Sequence, residues 1–270
     1  MVFNDQEIAG FAGFAERLRD AARGETLPRF RAGAAVVNKN EAAFDPVTEA
    51  DREAERAMRA LIEEAFPDHG IVGEEFGVRE GKGPWRWVLD PVDGTRAFVC
   101  GAPTWTTLIA LEHEGRPVLG IIDQPYSDDC LVGFGGETRF HRGGVARACR
   151  ASGVAALAEA RLSTTDPSPN AYFDAAAAAA FARLAEETRV SRYSMDAYAY
   201  GLLAAGELDL IVETKLQHHD YAALVPVIEN AGGVITNWKG EPVGSDTRGE
   251  TLAAATPALH EAAMKVLAGA

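Results

Sequence analysis

Basic residues are scarce in this chain. Of 270 residues, 26 are Lys or Arg against 40 Asp or Glu, a formal net charge of -14. A chain this acidic is a poor partner for nucleic acid or an anionic membrane surface. A small phosphate ester is not excluded, because acids gathered round divalent cations contribute to such a surplus. Cysteine is scarce as well: Cys100, Cys130 and Cys149 are odd in number and lack Cys-x-x-Cys spacing. That argues against a disulfide framework or a zinc site and fits reduced thiols in a cytosol. No apolar run approaches a membrane span, and Met1-Val2-Phe3-Asn4-Asp5 has neither the basic segment nor the apolar stretch of an export signal, so the expected location is cytoplasmic. No linker rich in Pro, Gly or Ser interrupts the chain, and no internal repeat is present. With 47% hydrophobic and 24% charged residues, it can bury a substantial core in one large domain or two closely packed halves.

The pattern of apolar residues predicts a helix over 5–23, where Ile8, Phe11, Phe14, Ala15 and Leu18 recur near helical spacing. A second begins at Thr48-Glu49-Ala50-Asp51, carries Ala54, Met58, Leu61, Ile62 and Ala65 on one stripe, and is stopped by Pro67. Ile71-Val72 is a short apolar segment and Trp85–Leu89 reads as a strand. Thr106–Leu111, Pro117–Ile122 and Cys130–Phe134 read as an antiparallel meander. Beyond Arg150 the texture alternates: strands at Arg161–Thr164, Leu208–Val212 and Val234–Thr236, and helices at Phe173–Glu187, Ala197–Ala205, Tyr221–Asn230 and Pro257–Leu267. The fold class expected is α/β, with an α+β half over 1–150, an α/β half over 151–270, and a boundary near Ala148–Ala156.

Acids cluster where this pattern ends strands or starts helices. Trp87-Val88-Leu89-Asp90-Pro91-Val92-Asp93-Gly94-Thr95 empties an apolar strand into two carboxylates, a glycine and a hydroxyl. Pro91 fixes φ, Gly94 permits a tight turn, and a helix starting near Thr95 would aim free amides at the same point. Acids for a hard cation beside amides for a phosphate suggest metal-assisted phosphoryl chemistry. Taken singly, each acid also has an ordinary reading. Asp-Gly is a common turn, Glu74-Glu75 could be a solvated turn, Asp51 could complete a helix cap with Thr48, and Asp220 could be an N-cap. His218-His219 is read as a surface pair on a loop, since adjacent histidines diverge and no third nitrogen or sulfur ligand is suitably spaced. The ordinary readings leave unexplained why four acidic segments all fall at the edges where α/β folds assemble their sites.

In order, Gly73-Glu74-Glu75, Asp90-Pro91-Val92-Asp93-Gly94-Thr95 and Asp220-Tyr221-Ala222-Ala223-Leu224 with Glu229-Asn230-Ala231-Gly232-Gly233 resemble the inositol monophosphatase family of magnesium-dependent, lithium-sensitive phosphatases. Pro46-Val47-Thr48-Glu49-Ala50-Asp51 fits too, and the likeness runs from about Asp45 to Gly233. The resemblance implies a layered α-β-α-β-α sandwich, usually a homodimer, with two or three Mg²⁺ ions per site. Glu74, Asp90, the Val92 carbonyl, Asp93 and Asp220 would be metal ligands. Asp51 and Thr95 would orient the attacking water, with Glu75 helping. The backbone amides of Gly94, Thr95 and Arg96 would hold the phosphate. An oxygen-rich ligand set suits Mg²⁺, and phosphate ester hydrolysis demands this positioning and charge neutralisation.

Within the family the stretch from Asp196 to Glu213 looks more like the histidinol-phosphate phosphatase branch than the inositol branch. Arg96-Ala97-Phe98, Trp105–Ile109 and Ile122-Asp123-Gln124-Pro125 lean the same way. Histidinol phosphate carries an ammonium and an imidazole, so Asp196 and Glu213 beside the leaving group would complement it. Asp196 could equally cap the following helix, and the inositol branch also has an acid at the position of Glu213. Trp105, Tyr198 and Tyr200 could stack on an imidazole but read first as core or interface residues. The alternative substrate is inositol 1-phosphate. A 3′-phosphoadenosine phosphatase is disfavoured because no base-binding insertion is evident, and a non-catalytic metal-binding scaffold because every acid and Thr95 are present.

Overall fold

The strand Trp85–Asp93 lies deep in the molecule and organises the N-terminal half. The computed structural model describes residues 5–33, 36–38, 46–169, 171–245 and 249–269. Met1–Asn4 and Asp45, which entered the sequence reading, lie outside these, as do the side chains of residues 5–9, 46 and 47. An eight-stranded sheet runs in the order Val145–Cys149, Glu137–Arg142, Asp129–Phe134, Arg116–Gln124, Thr106–His113, Trp85–Asp93, Gly70–Gly73, Gly77–Arg79. All neighbours are antiparallel except Gly70–Gly73, which runs parallel to Trp85–Asp93.

Side-chain alternation gives this sheet two apolar faces. Trp87, Leu89, Ile109, Leu111 and Ile121 meet the helices Asp5–Thr26 and Glu49–Ala65 through Phe11, Phe14, Leu18, Met58 and Ile62. Val88, Leu108, Ala110, Ile122 and Leu131 face a middle layer made by the helices Tyr198–Ala204 and Leu224–Asn230. That layer sits directly on the strands: a Cβ at Gly120 would lie 2.1 Å from the Ala223 carbonyl oxygen, and one at Gly133 2.5 Å from the Val227 Cα.

Ile211, Ile235 and Ala253 cover the middle layer from the other side. They belong to a five-stranded sheet ordered Val190–Tyr193, Arg161–Thr164, Leu210–Glu213, Thr251–Ala254, Val234–Thr236. Its outer face, with Leu162, Leu210, Val212 and Leu252, packs on the helices Ala175–Glu187 and Pro257–Ala268. Helix, sheet, helix, sheet and helix therefore stack as an α/β sandwich. Each fully buried Leu or Phe contributes about 1.5–3 kcal/mol to holding it together. Among the described residues no helix is long and apolar enough to cross a membrane.

Several elements depart from the sequence reading. The helix expected from Phe173 begins at Ala175, because the Asp174 carboxylate accepts the Ala177 N–H at 2.8 Å and fixes the start there. The helix expected over Tyr221–Asn230 is two pieces, His218–Tyr221 and Leu224–Asn230, so Asp220 lies inside a helical turn rather than ahead of one. Thr251–Ala254 and the outer strands Glu137–Arg142 and Val145–Cys149 were not foreseen. Thr251–Ala254 and Val145–Cys149 are rich in alanine and Glu137–Arg142 is largely polar, so none of the three shows the usual alternation.

Candidate active site

Asp90 and Asp93 end the Trp85–Asp93 strand, and a regular strand would point residues three apart to opposite faces. Here Asp90 pairs with Leu108 and Asp93 with Thr106, three residues against two. This β-bulge at Pro91-Val92 brings both carboxylates to the same side. Proline suits the position because it needs no ladder partner for an N–H it lacks. The Val92 N–H donates to Asp90 Oδ1 at 3.1 Å, and the Ala197 N–H donates to Asp93 Oδ2 at 2.7 Å. Asp93 thus ties the strand to the start of the middle-layer helix.

Asp220 completes one cluster. Oxygen atoms of Asp90, Asp93 and Asp220 all lie within 4.8 Å of one another. The turn that carries Asp220 is held by its own carboxylate, whose Oδ2 accepts the Gln217 N–H at 2.6 Å. Glu74 and Glu75 follow the Gly70–Gly73 strand. Their loop is clamped by buried Glu55, which accepts the amides of Glu75 at 2.7 Å and Phe76 at 3.2 Å and pairs with Arg59 at 2.7 Å. Sequence reasoning passed over Glu55, whose only signal was an acid on the apolar stripe of a helix. Ligand atoms of Asp51, Glu74 and Glu75 form a second group with the same spacing.

Asp51 caps its helix and also faces the acid cluster. Its Oδ2 accepts the Thr48 N–H at 2.9 Å and the Thr48 hydroxyl at 2.5 Å, closing a capping box. Its Oδ1 accepts the Thr95 hydroxyl at 3.4 Å, and that hydroxyl also lies 3.1 Å from the Val92 carbonyl. The helix Thr95–Cys100 starts where expected, with Gly94 at φ 80 as its N-cap. Glycine is required twice over at this point. The backbone is left-handed, and a Cβ would lie 2.9 Å from Asp196 Cγ.

Asp196 is no helix cap. It sits at φ 46, the helix begins after Ala197, and the Ala197 amide goes to Asp93 instead. The Asp196 side chain is turned to the wall of a cavity of about 350 Å³, which Asp90, Asp93, Thr95, Glu213, Asp220 and Tyr172 also line. Arg96 spreads its guanidinium over the Tyr172 ring, 4.9 Å from the centroid, and partly offsets the charge of Asp196. Glu213 ends its strand and accepts the Thr165 N–H at 2.6 Å, the Thr165 hydroxyl at 2.9 Å and the Thr164 hydroxyl at 3.2 Å. Of the three aromatics, Trp105 packs against Phe30 and Phe98, and Tyr198 donates to Asp129 at 2.7 Å. Tyr200 is buried too, yet it lines the cavity and its hydroxyl has no partner among the described residues.

The surface-loop reading of His218-His219 is corrected. The two rings diverge as expected, but neither is idle. His218 Nε2 meets Glu112 Oε1 at 2.6 Å, and Arg86 holds the other oxygen of that carboxylate. His219 reaches the acids, within 4.8 Å of Glu74 and Asp90 ligand atoms and 3.4 Å from Asp220.

The electrostatics of the cluster call for positive charge. Burial, then Glu74, Asp93 and Asp220, push the Asp90 carboxyl well above its ordinary value, and burial with Asp196 and Asp220 does the same to Asp93. Burial raises Asp51 to about 6, Asp196 to about 6, and Glu213 to about 8 despite its three donors. Buried like charges at this spacing need protons or cations to coexist. Oxygen donors in adjoining groups that share Glu74 and Asp90 fit more than one divalent ion.

The inositol monophosphatase family model matches residues 10–269. The chain belongs to the inositol monophosphatase family. Relatives named as phosphatases place it among the phosphatases of that family. The bifunctional phosphatase IMPL2 of Arabidopsis thaliana is 41% identical over 243 residues, 88% of this chain and 67% of that protein. The histidinol-phosphatase of Streptomyces coelicolor is 35% identical over 237 residues, 83% of this chain and 85% of the other. Among solved structures, an inositol monophosphatase from Zymomonas mobilis superposes with a TM-score of 0.84 at 38% identity, covering 96% of this chain and 98% of that one.

Proposed function

We propose that this member of the inositol monophosphatase family is a Mg²⁺-dependent histidinol-phosphate phosphatase, releasing L-histidinol and phosphate in histidine biosynthesis. The observation that carries the choice of substrate is the pair Asp196 and Glu213. Glu213 is buried and Asp196 half-buried on the wall of the cavity that holds the metal-ligand candidates, and neither belongs to the acid groups that could grip an ion. An ammonium and an imidazole on the leaving alcohol give such acids a cationic partner. Histidinol-phosphatases among the relatives support the same reading.

In this reading Glu74, Asp90, the Val92 carbonyl, Asp93 and Asp220 hold two or three Mg²⁺ ions. When bound, the ions neutralise phosphoryl and leaving-group oxygens and lower the pKa of water. Thr95, set between Asp51 and the Val92 carbonyl, orients the attacking water and passes its proton towards Asp51, with Glu75 assisting. The first amides of the Thr95–Cys100 helix, from Gly94, Thr95 and Arg96, hold the phosphate for in-line displacement. Residues 1–150 thus supply the metal and phosphate groups, and 151–270 supply Asp220 and the acids facing the leaving alcohol. We take the working unit to be a homodimer, as the family resemblance implies, and to be cytoplasmic, as the cysteine usage suggests.

Inositol 1-phosphate is the second reading. It is favoured by the likeness to the Zymomonas mobilis inositol monophosphatase structure. The test is phosphate release from L-histidinol phosphate with Mg²⁺ and after EDTA. Turnover that EDTA abolishes and Mg²⁺ restores is expected; no turnover on this substrate sinks the proposal.

A further inference from the structure

His219 adds a nitrogen to a ligand set otherwise made of oxygen. It occupies the middle of the short helix His218–Tyr221, next to Asp220. One of its ring nitrogens, a Glu74 oxygen and an Asp90 oxygen all lie within 4.8 Å of one another. Its side chain is 15% exposed. Its neighbour cannot stand in for it. His218 is held on the other side by Glu112, which is itself anchored by Arg86.

We infer that His219 is a direct ligand of the ion gripped by Glu74 and Asp90, making that position a mixed oxygen–nitrogen site that prefers Mn²⁺, Co²⁺ or Zn²⁺ to Mg²⁺. The inference rests on the reading of the acid cluster as a divalent-metal centre, and adds to it the chemistry of one position. Imidazole is a poor donor to Mg²⁺, which favours oxygen and keeps its waters, whereas first-row transition ions accept it well.

The experiment is Mn²⁺ titration of metal-free protein followed by pulsed EPR, which detects ¹⁴N bonded directly to the ion. Wild type and His218→Phe are expected to show histidine nitrogen coupling, and His219→Phe and His219→Gln to lack it. Mn²⁺ affinity should fall about 10-fold or more in both His219 variants, while Mg²⁺ affinity stays within about 3-fold. The glutamine variant guards against misfolding of the bulkier one. Coupling that is absent from wild type, or that survives in both His219 variants, overturns the inference. Mn²⁺ bound without coupling by a protein that hydrolyses histidinol phosphate leaves the functional proposal standing and this one refuted. Failure to bind any divalent ion refutes both.

Discussion

Asp90→Asn should make the metal-free protein more stable while destroying its activity. Asp90 is 2% exposed, and oxygens of Asp93 and Asp220 lie within 4.8 Å of its own. Two like charges at that distance repel by about 3.5 kcal/mol at an effective dielectric of 20. The isosteric amide removes the charge and still accepts the Val92 N–H, now as a neutral bond weaker by about 1.5 kcal/mol. Relief of one repulsion less that loss leaves about 2 kcal/mol, a rise in Tm of about 4–8 °C for a chain of this size. The sign with pH follows from the raised carboxyl. Below the ordinary value of 3.8 Asp90 is protonated in both states, so the two proteins should be most alike at the acid end. As pH rises, the unfolded wild type loses its proton first while the folded form must give one up into the repelling cluster, so the advantage of the variant grows. Saturating Mg²⁺ should reverse the order, because an ion at about 100 times its Kd stabilises only the protein that binds it, by about 2.7 kcal/mol. Denaturation in EDTA between pH 4 and 8, repeated with Mg²⁺, reads all of this. A variant less stable than wild type in EDTA at pH 7.5, or a gain independent of pH, would refute the reasoning.

Three other substitutions probe separate parts of the site. Thr95→Val removes the hydroxyl that bridges Asp51 and the Val92 carbonyl. It should lower kcat about 10²–10⁴-fold with little change in KM, and a loss confined to KM would remove Thr95 from the proton path. Asp196→Asn should reduce kcat/KM for histidinol phosphate about 30-fold or more and hardly affect inositol 1-phosphate; equal losses would take Asp196 out of recognition. Glu213 stands at about 8 because burial outweighs its donors, so cationic histidinol should bind more tightly as pH rises through that value and the acid ionises. Thr165→Val deletes a donor to the ionised form and should move this profile to higher pH. An unmoved inhibition profile for histidinol would contradict the assignment.

What could be read in the chain beforehand was whatever local chemistry decides. The capping pattern at Thr48 and Asp51, Pro67 as a stop, and Gly94 opening a helix at Thr95 all depend on a few neighbouring residues. The alternating apolar meander was legible for the same reason. Features set by long-range packing were not. Strand periodicity alone sends Asp90 and Asp93 to opposite faces, and only the bulge, visible in the pairing with Leu108 and Thr106, brings them together. Asp196 had equal claims as a cap and as a pocket acid, because the rival for the cap, Asp93, lies about a hundred residues earlier. Thr251–Ala254 is buried between two strands and needs no polar face, so an alanine-rich segment there carries no strand signal. His219 was read as a surface residue because the acids it meets, Glu74 and Asp90, are distant in sequence.

In the proposed function the phosphatase uses its extra acids, Asp196 and Glu213, to select a cationic alcohol. Internal competition tests it most directly. L-histidinol phosphate and inositol 1-phosphate are mixed at equal concentration with Mg²⁺, and the ratio of the two products gives the ratio of kcat/KM. With buried charge partners worth about 2–5 kcal/mol, histidinol should exceed inositol by about 30-fold or more. A ratio near one, or in favour of inositol, would leave the metal chemistry in place and contradict the role given to Asp196 and Glu213.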